Sequence, residues 1–384
     1  MASDGPTGNL LRVAPEQTVD GDDPIGAVLA AYTRDLVAAV DETLAEFLTA
    51  EVDGLTEIDA AMGDFAATAR DCVLTGGKRV RPTFAYWGWR GVIGGDEPIT
   101  PVLPALATLE LLHTFALVHD DVMDASATRR GRPTAHVAVA AQHAAAGRNG
   151  DSDRFGEAVA VLIGDLCMVW ADQLLARADL PASRLLKVRQ GYDRMRVETV
   201  AGQYLDILGE TDAGNWSVDR ALRVARYKTA SYTVQRPLLF GASLAGVGED
   251  NPLATAYTRY GVAVGEAFQL CDDLLGVYGD PTTTGKPSGD DLRTGKPTAL
   301  LMLARELATP AQLRTLDGAD HPSEAPEIAR LAEIVVDTGA VGRVERMIDE
   351  RVEDALAALD AVAVDETART ALIGLASAAT RRRA

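Results

Sequence analysis

From Ile25 onward, apolar residues recur three and four positions apart with polar residues between them. Ile25-Gly-Ala-Val-Leu-Ala-Ala-Tyr32 and Leu36-Val-Ala-Ala-Val-Asp-Glu-Thr-Leu44 are two examples. That spacing is the period of an amphipathic α-helix. No stretch alternates apolar and polar residues convincingly, as a half-buried strand would. The pattern is interrupted at Thr75-Gly-Gly77, Gly94 to Pro98, Gly147 to Asp153, Asp179-Leu-Pro181, Asp212 to Asn215, Gly248 to Pro252, Gly279 to Pro297 and Asp317 to Pro326. Such Gly-, Pro- and Asp-rich breaks punctuate helices, so the chain is expected to be all-α, with ten or more helices of ordinary length. None of the breaks has the composition of an interdomain linker. Residues 1–24, rich in Gly, Asp and Pro, are expected to form a disordered tail. Residues 25–384 are expected to form a single domain.

Two helices carry polar residues where the pattern calls for apolar ones. Leu111-Leu-His-Thr-Phe-Ala-Leu-Val-His-Asp-Asp-Val-Met-Asp124 sets Asp120, Asp121 and Asp124 on an otherwise apolar segment. Asp120 and Asp124 are one helical turn apart and share a face. Asp272-Asp273 interrupts a second apolar segment, Gly265 to Gly276. Carboxylates on one apolar face repel each other and are costly to desolvate unless a cation lies between them. A single acid pair reads as a solvated helix end. Two pairs, each embedded in apolar sequence, read better as opposed clusters that hold Mg²⁺ shared with substrate phosphates. His113 precedes Asp120 by seven residues, about 20° round an ideal helix, so it points toward this site, either as a ligand or as a satisfied core histidine.

Basic residues flank the acids. Gly76-Gly-Lys-Arg-Val-Arg-Pro82 joins a turn to positive charge, and Lys78 and Arg81 with helix-start amides suit a phosphate. Arg129 and Arg130 follow the first acids, and Lys228-Thr229 lies in Arg226 to Tyr232. Lys286 and Lys296 bracket a Gly-rich charged segment beyond the second acids, placed to close over phosphates. Asp290-Asp291 within it reads as a cap or solvated turn rather than a third metal site.

Composition narrows the classes. The formal net charge of −19 and pI of about 4.7 exclude non-specific nucleic-acid binding, and Arg381-Arg-Arg-Ala384 reads as a frayed end. Anionic substrates would need local cations to overcome this adverse field. Cys72, Cys167 and Cys271 lie far apart in apolar contexts, and read as buried reduced thiols in a cytoplasmic protein. The start lacks a signal-peptide pattern. The best apolar run, Ala158 to Ala171, is broken by Asp165, so no transmembrane segment is expected.

Taken together, Gly-Gly-Lys-Arg-x-Arg-Pro, Asp-Asp-x-x-Asp, Arg-Arg-Gly-x-Pro-Thr, Lys-Thr and Phe-Gln-x-x-Asp-Asp, in that order between Gly76 and Thr298, resemble the trans-isoprenyl diphosphate synthases, the polyprenyl synthetase family. Each motif is modest alone; all of them in order are highly specific. The resemblance implies a helical bundle around a central cavity (the isoprenoid synthase fold), a homodimer and three Mg²⁺ ions. It also implies that an allylic diphosphate ionises and isopentenyl diphosphate attacks the cation head-to-tail. On that resemblance Asp120, Asp124 and Asp272 ligate Mg²⁺, assisted by Asp121 and Asp273. Arg129, Lys228, Lys286 and Lys296 hold the allylic diphosphate. Lys78, Arg81, His113 and Arg130 hold the metal-free diphosphate. Thr229 and Gln269 present oxygen dipoles to the allylic cation.

The family's second acid motif commonly ends in Asp, whereas this chain has Gly276 there, followed by Asp280. If only Asp272 contacts metal directly, that loss is tolerated. Product length is expected to be set just before the first motif. The family places the floor at Phe115, five residues before Asp120, and an aromatic there accompanies a C20 product. Helix projection favours Ala116 and Leu112 instead, at about 40° and 80° from Asp120, with Phe115 near 140°. Geranylgeranyl diphosphate is the expected product, with farnesyl diphosphate next. A class I terpene cyclase is a weaker alternative, because its Asn/Asp-Asp-x-x-Ser-x-x-x-Glu motif is not found. A non-catalytic synthase subunit is weaker too, because such subunits tend to lose residues that this chain keeps.

Overall fold

The computed structural model describes residues 24–95, 97–211, 216–280, 288–318 and 324–380. The expected N-terminal tail, apart from Pro24, and the C-terminal Arg381–Ala384 lie outside the described residues. The protein is helical almost throughout. In order come α1 (Pro24–Ile58), α2 (Met62–Leu74), α3 (Val80–Ile93) and α4 (Leu103–Met123). A two-residue antiparallel ribbon follows, β1 (Thr128–Arg129) paired with β2 (Arg132–Pro133). Next are α5 (Ala135–Ala145), α6 (Ser152–Leu175), α7 (Ala182–Thr211) and α8 (Val218–Ala225). A π-helical segment, Arg226–Gln235, then leads into α9 (Arg236–Leu244) and α10 (Pro252–Tyr278). The chain ends with α11 (Asp290–Thr294), α12 (Ala299–Leu307), α13 (Pro310–Gly318), α14 (Ala325–Asp337), α15 (Ala340–Asp360) and α16 (Glu366–Thr380).

Most of the breaks read from the sequence fall between two of these helices; the stretch from Gly279 to Pro297 also holds α11, and the break from Asp212 to Asn215 lies outside the described residues. Local chemistry sets several of the starts. The Asp151 side chain accepts from the backbone N–H groups of Asp153 and Arg154, which begins α6. Asn251 caps α10 through the Leu253 N–H, and Pro252 takes its first position. Two features were not legible from periodicity. One is the β-ribbon, which turns through Arg130 (φ 53°) and Gly131 (φ 72°). The other is the π-helical segment.

The core forms two clusters. The larger joins α1 to α4, α6, α7, α9, α16 and the first half of α10, around fully buried Trp170, Tyr192, Tyr257 and Tyr260. The smaller joins the second half of α10 to α12, α14 and α15. Thus α10 runs through both, and Asp272 and Asp273 lie on the half that enters the smaller.

One helix bears on the expectation that no segment spans a membrane. The 24-residue helix α6 is long and apolar enough to cross a membrane by length and composition, with a mean hydropathy of 1.7 over its best window. One face of it is core, packed against α4 and α5 with Ile163, Cys167, Trp170 and Ala171 buried. The cysteines are unbridged as expected, Cys167 and Cys271 buried and Cys72 half-buried. Burial pushes the Cys72 thiol up to about 11, with Asp71 and Asp121 adding to the effect, which leaves it a thiol at neutral pH.

Candidate active site

The first acids stand at the C-terminal end of α4. Asp121 is buried, whereas Asp120 lies half-exposed. The tight ribbon turn folds Arg129 back onto them. Its Nε donates to Asp121 Oδ1 at 2.7 Å and its Nη2 to Asp120 Oδ2 at 3.2 Å. Burial raises the Asp121 carboxyl above its ordinary range, and the hydrogen bond from Arg129 opposes this. Asp121 therefore steers Arg129, while Asp120 and Asp124 stay on the open side.

Lys228 reaches Asp120 from the π-helical segment. Its Nζ donates to Asp120 Oδ1 at 3.0 Å and to Asp206 on α7. Lys296 donates to the same Asp206 oxygen at 3.1 Å. Burial would lift Asp206, but Lys296 and Lys228 outweigh it and hold its carboxyl below the usual range. Burial likewise disfavours charge on Lys296, yet Asp206 and Asp124 leave its pKa raised, so it stays charged. Sequence reasoning missed Asp206. The available signal was Gly202-Gln-Tyr-Leu-Asp206, a glycine and an acid one turn apart on a long helix. Lys286 lies outside the described residues.

The π-helical segment carries Lys228 and Thr229. It has a wider backbone than an α-helix, and its neighbours accommodate it with glycine. A Cβ on Gly202 of α7 would lie 2.4 Å from the Lys228 backbone nitrogen, and one on Gly265 of α10 2.5 Å from the Ala230 Cα and Cβ. π-helical turns are uncommon and are often found at functional sites. Glu198 accepts from Ser231 and Arg236 at one end, and Glu266 from Arg226 and Arg351 at the other. Gly202→Ala is therefore expected to destabilise the fold by about 1–3 kcal/mol and to displace Lys228. Thermal unfolding together with turnover of the purified variant checks this.

Across the cavity, Asp273 is buried on α10. It accepts from Gln269 Nε2 and from the Ala299 backbone N–H, each at 3.0 Å. Burial pushes its carboxyl up to about 7; the Gln269 hydrogen bond opposes the shift, and Asp291 and Asp272 reinforce it. Asp273 thus fixes Gln269 and the start of α12, while Asp272 faces the cavity.

The basic loop has an internal anchor. Arg79, in the left-handed region at φ 47°, is buried and pairs with Glu110 at 2.7 Å and Asp41 at 2.8 Å. That holds Lys78 and Arg81 on either side of it. The Arg81 guanidinium lies 4.0 Å over the Tyr232 ring and donates to Thr233 at 2.9 Å. His113 hydrogen-bonds the Tyr232 hydroxyl. Its burial, then Arg81, Arg130 and Arg129, push its pKa well below the ordinary value, so it is neutral at pH 7. Arg130 donates to the Gly76 carbonyl. Tyr232 was not anticipated, because an aromatic next to Lys-Thr reads as core.

These groups line two adjoining cavities. One, of about 540 Å³, is predominantly acidic: Asp206, Asp272, Asp273, Asp290 and Asp291 surround Lys228 and Lys296. The other, of about 1240 Å³, is predominantly basic: Arg81, Arg129, Arg130 and Arg132 line it with His113. Lys78, Thr229 and Asp272 line both. The sequence expectation that His113 points toward the acids is thus refined: it lines the basic cavity. Among the described residues no group of three or more acid, His or Cys side chains is gathered closely enough to hold a metal ion by itself. Such an open donor set suits Mg²⁺, which binds through one or two carboxylates and completes its shell with water and substrate phosphate. Leu112 and Phe115 are buried and Ala116 packs against the core; none lines either cavity. Phe115 instead packs edge-on against His119, ring centroids 4.9 Å apart.

Comparison with known proteins gives a consistent result. The polyprenyl synthetase family model matches residues 64–335. A geranylfarnesyl diphosphate synthase of Aeropyrum pernix is 34% identical over 76% of this chain and 86% of its own length. A geranylgeranyl diphosphate synthase of Mycobacterium tuberculosis is 35% identical over 74% of this chain and 76% of its own. A crystal structure of geranylgeranyl pyrophosphate synthase from Corynebacterium glutamicum, complexed with isoprenyl diphosphate and magnesium, superposes with a TM-score of 0.85 at 41% identity. It covers 91% of this chain and 99% of that one.

Proposed function

The chain is a trans-prenyltransferase that belongs to the polyprenyl synthetase family, and we propose that it condenses isopentenyl diphosphate head-to-tail with an allylic diphosphate. The observation that carries this reading is the pair of adjoining cavities, one acidic and one basic, that share Lys78, Thr229 and Asp272. An acidic cavity takes a diphosphate only together with divalent cations; a basic cavity takes one without them. Two diphosphates bound in these different ways, side by side, are what a condensation needs and a cyclase does not.

In this reading Asp120, Asp124 and Asp272 hold Mg²⁺, whose chemistry is to neutralise charge as diphosphate departs. Arg129, Lys228 and Lys296 leave their resting carboxylate partners for the phosphate oxygens of the allylic substrate. Lys78, Arg81, Arg130 and neutral His113 hold the second diphosphate, and Arg81 is kept in place by the Tyr232 ring and Thr233. Thr229 and the Gln269 carbonyl face the developing allylic cation; with its NH₂ spent on Asp273, Gln269 can turn only its oxygen outward. Three ions, a cytoplasmic location and one domain over residues 25–384 are part of the same proposal. The continuity of α10 through both core clusters supports the last point. A homodimer is proposed as well. Leu162 and Val169 of α6 and Val197, Val200 and Tyr204 of α7 expose apolar surface, and sedimentation at micromolar concentration tests whether it is paired.

Geranylgeranyl diphosphate is the proposed product, although the relatives include a geranylfarnesyl synthase. Phe115→Ala is expected to lengthen the product. Mass spectrometry of the hydrolysed products checks it, and an unchanged chain length rejects Phe115 as the floor. The activity itself is tested with radiolabelled isopentenyl diphosphate, Mg²⁺ and dimethylallyl, geranyl or farnesyl diphosphate. Label in a longer prenyl diphosphate supports the reading; no incorporation with any primer rejects it.

A further inference from the structure

The basic cavity has one neutral member among its cations. His113 lines it with Arg81, Arg129, Arg130 and Arg132. Burial, and then Arg81, Arg130, Arg129 and Arg79, keep its imidazole uncharged. A neutral imidazole has one N–H donor and one bare nitrogen. Ionised phosphate oxygens only accept, so the ring can serve a diphosphate only if the nitrogen toward the cavity carries the proton. The group behind the ring decides which nitrogen that is. His113 Nδ1 meets the Tyr232 hydroxyl, and the ring makes no other hydrogen bond among the described residues. We propose that Tyr232 is a positioning residue of the metal-free diphosphate site: its hydroxyl donates to His113 Nδ1 and leaves the Nε2–H as a donor toward the basic cavity.

Proton accounting carries the assignment. Tyr232 is 5% exposed, and Nδ1 is the one partner of its hydroxyl among the described residues. Burial pushes the phenol up to about 12, so the hydroxyl keeps its proton. Were Nδ1 the donor, the phenolic proton would be buried without an acceptor, and Nε2 would turn a lone pair toward phosphate oxygens. With the phenol as donor, both protons are used. The phenol is also held in place. The Arg81 guanidinium lies over its ring and donates to the next residue, Thr233. On the other side α10 presses on the π-helical segment at two points, Gly265 against Ala230 and Gly261 against Gln235, where a Cβ on Gly261 would lie 2.4 Å from the Gln235 Cα. Tyr232 lines neither cavity; it acts through His113 and Arg81.

This role rests on the assignment of the basic cavity to isopentenyl diphosphate, and the test keeps the two apart. The tautomer is read without substrate from two-bond ¹H–¹⁵N correlation spectra of the full chain carrying ¹⁵N-histidine, with His113 assigned from the His113→Gln variant. The ring is expected to show a protonated Nε2 and a hydrogen-bonded, bare Nδ1, and that Nδ1 signal is expected to shift in Tyr232→Phe. Tyr232→Phe removes one oxygen and keeps the ring beneath Arg81. It is expected to weaken calorimetric binding of isopentenyl diphosphate without divalent metal by about 10-fold, and to raise the KM for that substrate with a smaller effect on kcat. A glutamine amide donates without a tautomer to set, so Tyr232→Phe is expected to add little in a His113→Gln background. Each variant is first shown folded by circular dichroism. A protonated Nδ1 in the native chain overturns the role of Tyr232, whatever the kinetics. Unchanged binding in Tyr232→Phe overturns it too, as does an equal loss in both backgrounds. A protonated Nε2, in a chain where Tyr232→Phe alters the KM for the allylic substrate instead, overturns the assignment of the basic cavity and leaves the hydrogen-bond arrangement standing.

Discussion

Asp120→Asn is expected to lower the rate of condensation by about 10³-fold while leaving the protein folded. Asp120 is the residue on which the two halves of the acidic site converge in the resting structure, accepting from Arg129 at 3.2 Å and Lys228 at 3.0 Å. The amide keeps the volume and one acceptor oxygen but carries no charge. It can neither compete for a divalent cation nor anchor Lys228 in the absence of substrate. The loss falls on kcat, because the charge that must be neutralised grows as the allylic carbon–oxygen bond breaks. On the proposed assignment of Arg81 and Arg130 to isopentenyl diphosphate, the KM for that substrate is expected to change little. Steady-state kinetics with labelled isopentenyl diphosphate over a range of Mg²⁺ concentrations measure both. A loss smaller than tenfold at saturating Mg²⁺ would remove Asp120 from the metal site.

The second large effect is on stability. Arg79→Ala costs about 3–5 kcal/mol, the range for breaking one side of a buried ion pair. Arg79 and Glu110 are each only 4% exposed and 2.7 Å apart, so removing the guanidinium strands a carboxylate in the core. Glu110 Oε1 already has no hydrogen-bond partner, which leaves the pair nothing to fall back on. Arg79→Ala/Glu110→Gln therefore costs less than Arg79→Ala alone, since the stranded charge is gone. Urea denaturation of the three proteins gives the comparison. Because Arg79 sits at the centre of the Gly76 to Pro82 segment, the same substitution is expected to loosen Lys78 and Arg81 and, on the proposed reading, to raise KM for isopentenyl diphosphate. A single variant with unchanged stability would contradict the burial argument.

These outcomes depend on different parts of the chain, and the sequence announced them unequally. Asp120, Asp124 and Asp272 stand out because an acid in an apolar helical segment violates the periodicity around it. Lys78 and Arg81 stand out because charge follows two glycines. Arg79 sits in the same short motif, yet nothing in the one-dimensional pattern marks it as the buried member of the three, for that depends on Glu110 and Asp41 arriving from other helices. Asp206 is similar: one acid on a long polar helix becomes the shared anchor of Lys228 and Lys296 only when α7, the π-helical segment and the start of α12 meet. Tyr232 and the π-helix itself are tertiary in the same sense, since their spacing reads as ordinary helix and their width is permitted by glycines far away in sequence.

The sequence by itself determined the helical class, most of the breaks and which charged groups stand out of pattern. Those follow from periodicity, turn residues and charge out of place, which are local properties. The tertiary structure decided which charges pair, which line a cavity and which are buried. It separated an acidic from a basic compartment, set His113 in the basic one, and turned Phe115 toward His119. It also set the Tyr232 hydroxyl behind His113. Each of these depends on close packing between elements distant in sequence, where a single missing Cβ admits or excludes a neighbour, and no local pattern records that.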